Sequence, residues 1–101
     1  MATVILSTKA EGDLGKIKTF YGNLGASPLA IKRILEGILY EIAALETFPE
    51  AGHEPDDPYL KSRGYLCFVI YEGRYIVFYV FDEEEQIVRI RRILPTRNEY
   101  L

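Results

Sequence analysis

Residues 65–94 read YLCFVIYEGRYIVFYVFDEEEQIVRIRRIL, and this stretch decides the fold. Three segments within it, 65–71, 75–81 and 87–94, are rich in β-branched and aromatic residues, which favour strands. The two polar connections between them are short enough for hairpins. The last third of the chain is therefore predicted to be a three-stranded antiparallel meander.

Two helices are predicted upstream of these strands. Thr8 and Glu11 have the spacing of a capping box, and apolar residues follow at helical intervals. A second helix is expected over 28–46, because Ser27 followed by Pro28 is a strong helix start. The apolar face of the first helix is Ala10, Leu14, Ile17 and Tyr21, and that of the second is Ile31, Ile34, Leu35, Ile38, Ile42 and Leu45.

The remaining segments complete an α+β order. Residues 2–7 read as a short strand, which we expect at the edge of the sheet. Residues 49–60 hold three prolines, a glycine and four acids, and read as a loop with no strand in it. The predicted order is β-α-α-β-β-β, with both helices on one face of a mainly antiparallel sheet. A length of 101 residues fits one domain, 1–101.

Composition excludes several functional classes. The chain is 49% hydrophobic and 27% charged, and no apolar run reaches the roughly 18 to 20 residues of a membrane span. One cysteine and one histidine exclude an internal disulfide and argue against a dedicated metal site. We interpret Cys67 as a buried, inert thiol and His53 as an exposed loop residue. These features are typical of a reduced, cytoplasmic domain without a metal or cofactor.

Basic residues concentrate near the end of an acidic chain. The net charge is −3, yet residues 86–98 contain four arginines and no acid. Strand alternation predicts that Arg89 and Arg91 share one sheet face, while the even positions turn toward the helices. Those even positions are Val88, Ile90, Arg92 and Leu94. The uncovered face is then expected to be aromatic and basic, a platform for a polymer or a peptide.

Four motifs, taken in order, resemble the RelE/ParE family of bacterial toxins from type II toxin–antitoxin modules. They are AEGDLGKIKTFYGN at 10–23, ALETFPEAG at 44–52, DDPYLKSRGY at 56–65 and GRYIVFYVFDEEEQIVRIRRIL at 73–94. The third is most similar to the ParE-like branch. Leu66, where that branch usually has a basic residue, and Pro95-Thr96 after the last strand depart from the family pattern.

The resemblance implies the fold predicted above and a cognate antitoxin whose disordered tail folds over the toxin. It also implies one of two activities, since ParE-like members poison DNA gyrase and RelE-like members cut mRNA on the ribosome. Our leading interpretation is a ParE-like toxin that binds a protein target, because the chain is acidic and poor in catalytic residue types. The alternatives are a ribosome-dependent mRNA endonuclease and an inactive toxin that still binds its antitoxin. Both a homodimer and a toxin–antitoxin hetero-oligomer are compatible with the sequence.

The candidate functional residues are mostly cations. Binding of the target or of RNA is assigned to Lys61, Arg89, Arg91 and Arg97, since guanidinium groups bind phosphate and carboxylate bidentately. If the protein is an endonuclease, Arg97, Tyr100 and Arg63 are the catalytic candidates, with Tyr100 as the nearby base. The structural alternative is that these side chains form solvated strand edges and surface ion pairs with Glu83 to Glu85.

Overall fold

The computed structural model describes residues 1–97, which build a four-stranded mixed sheet in the order β1-β4-β3-β2. The strands are β1 (Thr3–Leu6), β2 (Leu66–Ile70), β3 (Tyr75–Asp82) and β4 (Ile87–Pro95). The pairs β2–β3 and β3–β4 are antiparallel, and β1 runs parallel to β4 at the sheet edge. The predicted meander and the edge position of the first strand are confirmed.

Two long helices follow β1, as predicted. Helix α1 spans Thr8–Asn23, and α2 spans Pro28–Ala43 and continues as a 3₁₀ turn over Ala44–Glu46. Ser27 caps α2 by accepting a hydrogen bond from the Ala30 amide. The predicted cap of α1 is wrong by one residue. Ser7, still in the extended conformation, accepts from the Ala10 amide, and Thr8 is already helical.

The segment predicted as a loop over 49–60 contains more structure than expected. A five-residue helix, α3, spans Pro58–Ser62, and the Asp57 carboxylate caps it by accepting from the amides of Tyr59 and Leu60. Asp57 followed by Pro58 is a helix-start signal. Sequence reasoning missed this signal because residues 49–60 contain so many prolines and acids. The segment also adds one isolated antiparallel bridge to the free edge of β2, between His53 and Cys67.

The core lies between the two long helices and one face of the sheet. Ile38, Ile42 and Leu45 are buried, while Ile31, Ile34 and Leu35 of the same stripe pack half-buried against them. From the sheet, the side chains of Tyr75, Val77, Tyr79, Val88, Ile90 and Ile93 are buried in the same cluster. The helical periodicity therefore identified the packed face correctly.

A β-bulge in β4 interrupts the strict alternation predicted for that strand. Tyr79 lies opposite Ile90, whereas the preceding residue, Phe78, lies opposite Arg92, so Arg91 is an extra residue. After the bulge the inward positions are shifted, and Ile93 enters the core in place of Leu94. The prediction that Arg89 and Arg91 share one face assumed strict alternation along β4. The bulge at Arg91 breaks that alternation, so the reason for the prediction no longer holds.

The sheet face opposite the helices is more aliphatic than predicted. The outward positions of β3 are Ile76, Phe78 and Val80, and Arg89 lies opposite Val80. The neighbouring edge strands contribute Ile5, which is 41% exposed, and Val69, which is 50% exposed. Tyr75 and Tyr79 occupy inward positions, so the expectation of an aromatic outer face is wrong except at Phe78. We call the set Ile5, Val69, Ile76, Phe78, Val80 and Arg89 the outer sheet face.

Among the helices of residues 1–97, none is long and apolar enough to span a membrane.

Replacing Ile38 by alanine should destabilise the fold, because its side chain is fully buried between α2 and the sheet. The expected loss is about 2 to 5 kcal/mol of unfolding free energy, measured by urea titration. The control is Leu39→Ala, at a position on the same helix that is 38% exposed, where a much smaller loss is expected. Equal losses at both positions would contradict this placement of the core.

Candidate target-binding site

A buried carboxylate organises β4, the strand that carries Arg89, Arg91 and Arg92. Asp13 of α1 is only 5% exposed, although it lies among the apolar residues of that helix. Its two oxygens accept hydrogen bonds from Arg92 Nε at 2.9 Å and Nη2 at 3.0 Å. One of them also accepts from the Ile93 amide at 2.9 Å, directly after the bulge. Hydrogen bonding to Asp13 raises the pKa of Arg92, so the guanidinium remains charged in this pair.

The bulge places Arg91 at the wall of a cleft beside the start of α1. Its lining residues are Ser7, Thr8, Lys9, Tyr65, Arg91 and Arg92, around a volume of about 440 Å³. We call this the bulge cleft. The Ser7 hydroxyl, which caps α1, also donates to the Arg91 carbonyl at 3.0 Å and ties the helix start to the bulge. Three of the six lining residues are cations and none is a carboxylate, so the cleft suits an anionic group.

Arg97 lies at a different cleft, so the predicted cations do not converge on one patch. This second cleft is bounded by the β2–β3 turn, the end of α1 and the residues after β4. Its lining residues are Phe20, Tyr21, Leu24, Glu72, Gly73, Arg74, Thr96 and Arg97. We call it the hairpin cleft. Arg91 and Arg97, which the sequence placed together, therefore serve separate surfaces.

The remaining candidates lie apart from both clefts or outside the described residues. Lys61 of α3 forms an ion pair with Glu54 at 3.2 Å, and not with the predicted partners Glu83 to Glu85. The Arg63 guanidinium lies 5.6 Å from the centre of the Tyr59 ring. Arg89 is in the middle of the outer sheet face, opposite Val80 and Ile5. Tyr100 lies outside the described residues.

Sequence reasoning missed most of the residues that form the clefts. Lys9 and Tyr65 join the bulge cleft, and Tyr21, Glu72 and Arg74 join the hairpin cleft. These residues are distant in sequence and are brought together only by the fold. Asp13 was the one that could have been found, since a carboxylate on the inward face of an amphipathic helix requires a buried partner.

His53 and Cys67 do not form a reactive pair. The imidazole Nδ1 lies 3.8 Å from the thiol sulfur, but the thiol is buried and the histidine is exposed. Burial, followed by the nearby Asp56 carboxylate, raises the pKa of Cys67, so the thiol remains protonated and unreactive. The buried position predicted for Cys67 and the exposed loop position predicted for His53 are confirmed. Within residues 1–97, no group of three or more His, Cys, Asp or Glu side chains is arranged to hold a metal ion.

Comparison with known families identifies the chain. Residues 4–100 match the family model described as the ParE toxin of type II toxin–antitoxin systems, parDE. The chain belongs to the ParE toxin family. It is thus the toxin component of a type II toxin–antitoxin system, as the order of its motifs indicated.

Two solved structures share the fold of this ParE-family toxin. A chain of the chromosomal ParDE toxin–antitoxin system from P. aeruginosa is 18% identical with a TM-score of 0.77, over 96% of this chain and 98% of that one. A chain of the RelBE2 toxin–antitoxin complex from Mycobacterium tuberculosis is 24% identical with a TM-score of 0.63, over 93% and 96%. A search of curated proteins gives no significant match.

Replacing Asp13 by asparagine should destabilise the ParE fold. In either orientation the asparagine NH2 faces an N–H of the Arg92 guanidinium, and in one of them it also faces the Ile93 amide, so at least one buried hydrogen bond is lost. We expect a loss of about 1 to 3 kcal/mol of unfolding free energy, measured by urea titration at pH 7. Glu11→Gln, which makes the same change at an exposed position of α1, is the control and should change stability little. If the two variants unfold at the same urea concentration, Asp13 does not anchor β4.

Proposed function

We propose that this ParE-family toxin acts by binding a protein target, DNA gyrase, and not by cutting RNA. The chemistry of the bulge cleft carries the proposal. Its titratable groups are Lys9, Arg91, Arg92 and Tyr65, without a histidine or a carboxylate among them. A guanidinium is a poor base because it stays protonated, so this set favours binding an acidic surface over activating a 2′-hydroxyl. The proposal places the toxin in the cytoplasm, where gyrase works.

One observation supports an mRNA endonuclease as the second candidate. Glu72 lines the hairpin cleft with Arg97, so a carboxylate and two guanidinium groups, counting Arg74, lie around one cavity. A carboxylate base with cations for the phosphorane charge is a workable set for RNA cleavage. In this alternative Arg97 and Tyr100 keep the catalytic roles assigned from the sequence, whereas Arg63 lies apart from this cleft, beside Tyr59. A toxin that has lost activity but retains its antitoxin is the third candidate.

We further propose that a cognate antitoxin covers the outer sheet face. The two solved relatives come from toxin–antitoxin complexes. In this chain the outer sheet face presents the exposed side chains of Ile5 and Val69 and the half-buried Phe78. A segment that folds on binding would remove this apolar surface from water, which is the main gain available to a disordered partner. The complex is then a toxin–antitoxin hetero-oligomer.

Arg91→Ala and Arg97→Ala should each abolish toxicity in cells and inhibition of gyrase supercoiling by the purified protein, since each removes an exposed guanidinium from a cleft. Tyr100→Phe should leave most of the activity, because a protein-binding mechanism needs no base. Arg33→Ala, an exposed cation on α2 outside both clefts, is the matched control and should behave as wild type.

The same preparations should be assayed for ribosome-dependent mRNA cleavage. Cleavage that disappears in Tyr100→Phe would overturn the gyrase proposal and establish the endonuclease. Inactivity in both assays, with the antitoxin still bound, would identify the inactive toxin.

Antitoxin binding should show a large negative heat-capacity change by calorimetry at several temperatures, because apolar surface is buried as the partner folds. The probe is the product of the neighbouring short reading frame. Val69→Lys, at an exposed outward position of the edge strand β2, should weaken binding without unfolding the toxin. Lys32→Glu, on the exposed surface of α2, is the control. A heat-capacity change near zero would exclude burial of the outer sheet face.

A further inference from the structure

The hairpin cleft combines charge and apolar surface in a way that the proposed function does not use. Arg74 and Arg97 are exposed at its rim. No described carboxylate forms an ion pair with either guanidinium, in contrast to Lys61 and Arg92. Beside them, Leu24 is 68% exposed although it is a large apolar residue. A pair of available cations next to an apolar side chain is the arrangement that binds an acidic residue flanked by an apolar one.

The cleft also contains an oriented hydroxyl. Tyr21 is almost buried, and its phenol oxygen accepts a hydrogen bond from Arg74 Nη1 at 3.2 Å and from the Tyr75 hydroxyl at 3.4 Å. A phenol carries one donor besides its acceptor lone pairs, so the Tyr21 O–H can turn toward an anion beside Arg74. An anion in the cleft would therefore meet the Tyr21 hydroxyl, the remaining N–H groups of Arg74 and those of Arg97.

The backbone holds Arg74 in place at a conformational cost. Tyr71, Glu72 and Gly73 all have positive φ angles, of 53°, 55° and 83°, although two of them are not glycine. The turn is fastened by the Glu41 carboxylate, which accepts from the Tyr71 amide at 2.8 Å, and by Thr96, which donates to the Gly73 carbonyl. The Tyr71 ring lies 6.0 Å from the Arg74 guanidinium. Strained backbone of this kind persists where surrounding contacts hold it, and here the hydrogen bonds from Tyr71 to Glu41 and from Thr96 to Gly73 do so.

We propose that the hairpin cleft binds an aspartate or glutamate carboxylate on the toxin's target protein, with an apolar neighbour of that residue seated on Leu24. The inference rests on the proposed function that this chain binds a protein target. The target is favoured over the antitoxin because the cleft lies on the helix side of the sheet, where Tyr21 contacts Tyr75. The antitoxin is assigned to the outer sheet face on the other side.

An acidic protein segment fits the cleft better than a nucleic acid. Arg74 and Arg97 are the cations among the residues that line this cavity, so one carboxylate can be paired there, whereas a polymer with a negative charge on every residue finds no further cation among them. A peptide brings one carboxylate to the cations and leaves the rest of its backbone neutral. Leu24 and Phe20 also offer apolar contact rather than cations to a neighbouring group.

The direct test is a titration of the full chain with nitrogen-15 in its arginines, followed by NMR of the Nε–H signals. The probe is a blocked hexapeptide of alternating aspartate and leucine, and the matched controls are the asparagine–leucine hexapeptide and a twelve-residue oligothymidylate. We expect the signals of Arg74 and Arg97 to shift with the aspartate peptide alone. A similar shift with the asparagine peptide, a shift with the oligothymidylate, or no shift with any probe would overturn the proposal.

Variants of the cleft residues test the carboxylate site separately from the inhibition of gyrase. Arg74→Gln should weaken binding of the aspartate peptide about tenfold or more, and Tyr21→Phe by a smaller factor, since each removes donors to a charged group. Arg33→Gln, with the same change on α2, should bind as wild type. Thermal melts identify any variant that fails to fold, and the wild-type titration decides the question independently of them.

Gyrase inhibition and antitoxin calorimetry with Arg74→Gln then decide which partner uses the cleft. Loss of gyrase inhibition with unchanged antitoxin binding supports the target, whereas loss of antitoxin binding alone overturns that assignment. If the wild-type toxin does not inhibit gyrase at all, the proposed function fails, and the peptide titration still shows whether the carboxylate site exists.

Discussion

The Asp13 carboxylate is the interaction on which the arrangement of the last strand depends. It is buried on α1 and satisfied entirely by β4, through the Arg92 guanidinium and the Ile93 amide. A buried charge is costly unless it is paired and hydrogen-bonded, so α1 and β4 have one mutual position that avoids this cost. That position fixes where the bulge lies, which side of the strand Ile93 takes, and where Arg91 emerges. One polar contact in an apolar interface thus specifies a geometry that hydrophobic packing alone leaves open.

The elements were predictable where periodicity alone determines them. The stripe through Ile38 and Ile42 and the three apolar runs after Gly64 correspond to real helices and strands, with ends shifted by one or two residues. The bulge was not predictable, because the sequence around Arg91 fits an uninterrupted strand equally well. Its cause is a contact with Asp13, which lies on the first helix. Arg91 and Arg97 line different clefts that distant parts of the chain complete, so the candidate site was the less predictable part.

Cation placement explains how an acidic protein offers basic surfaces. The chain has a net charge of −3, but Lys9 and Arg91 line one cleft beside the Asp13-paired Arg92, and Arg74 and Arg97 line another. Lys32 and Lys61, by contrast, lie beside Glu36 and Glu54 and are locally neutralised. Local fields at clefts with low-dielectric walls, and not the average charge, decide which partners approach. The net charge alone is therefore weak evidence for excluding a binding partner of this protein.

The parallel pairing of β1 with β4 has a consequence for how the toxin is made. The strand at the start of the chain completes its hydrogen bonds only with the strand near the end, as in the Ser7–Arg91 contact between residues 84 positions apart. Contacts of such high sequence separation form late, because the intervening chain must be ordered first. On the ribosome, β1 therefore stays unpaired with β4 until β4 has left the exit tunnel. A nascent chain that has not yet exposed β4 lacks the β1–β4 pairing, the bulge and the bulge cleft, so these surfaces form only after β4 has emerged.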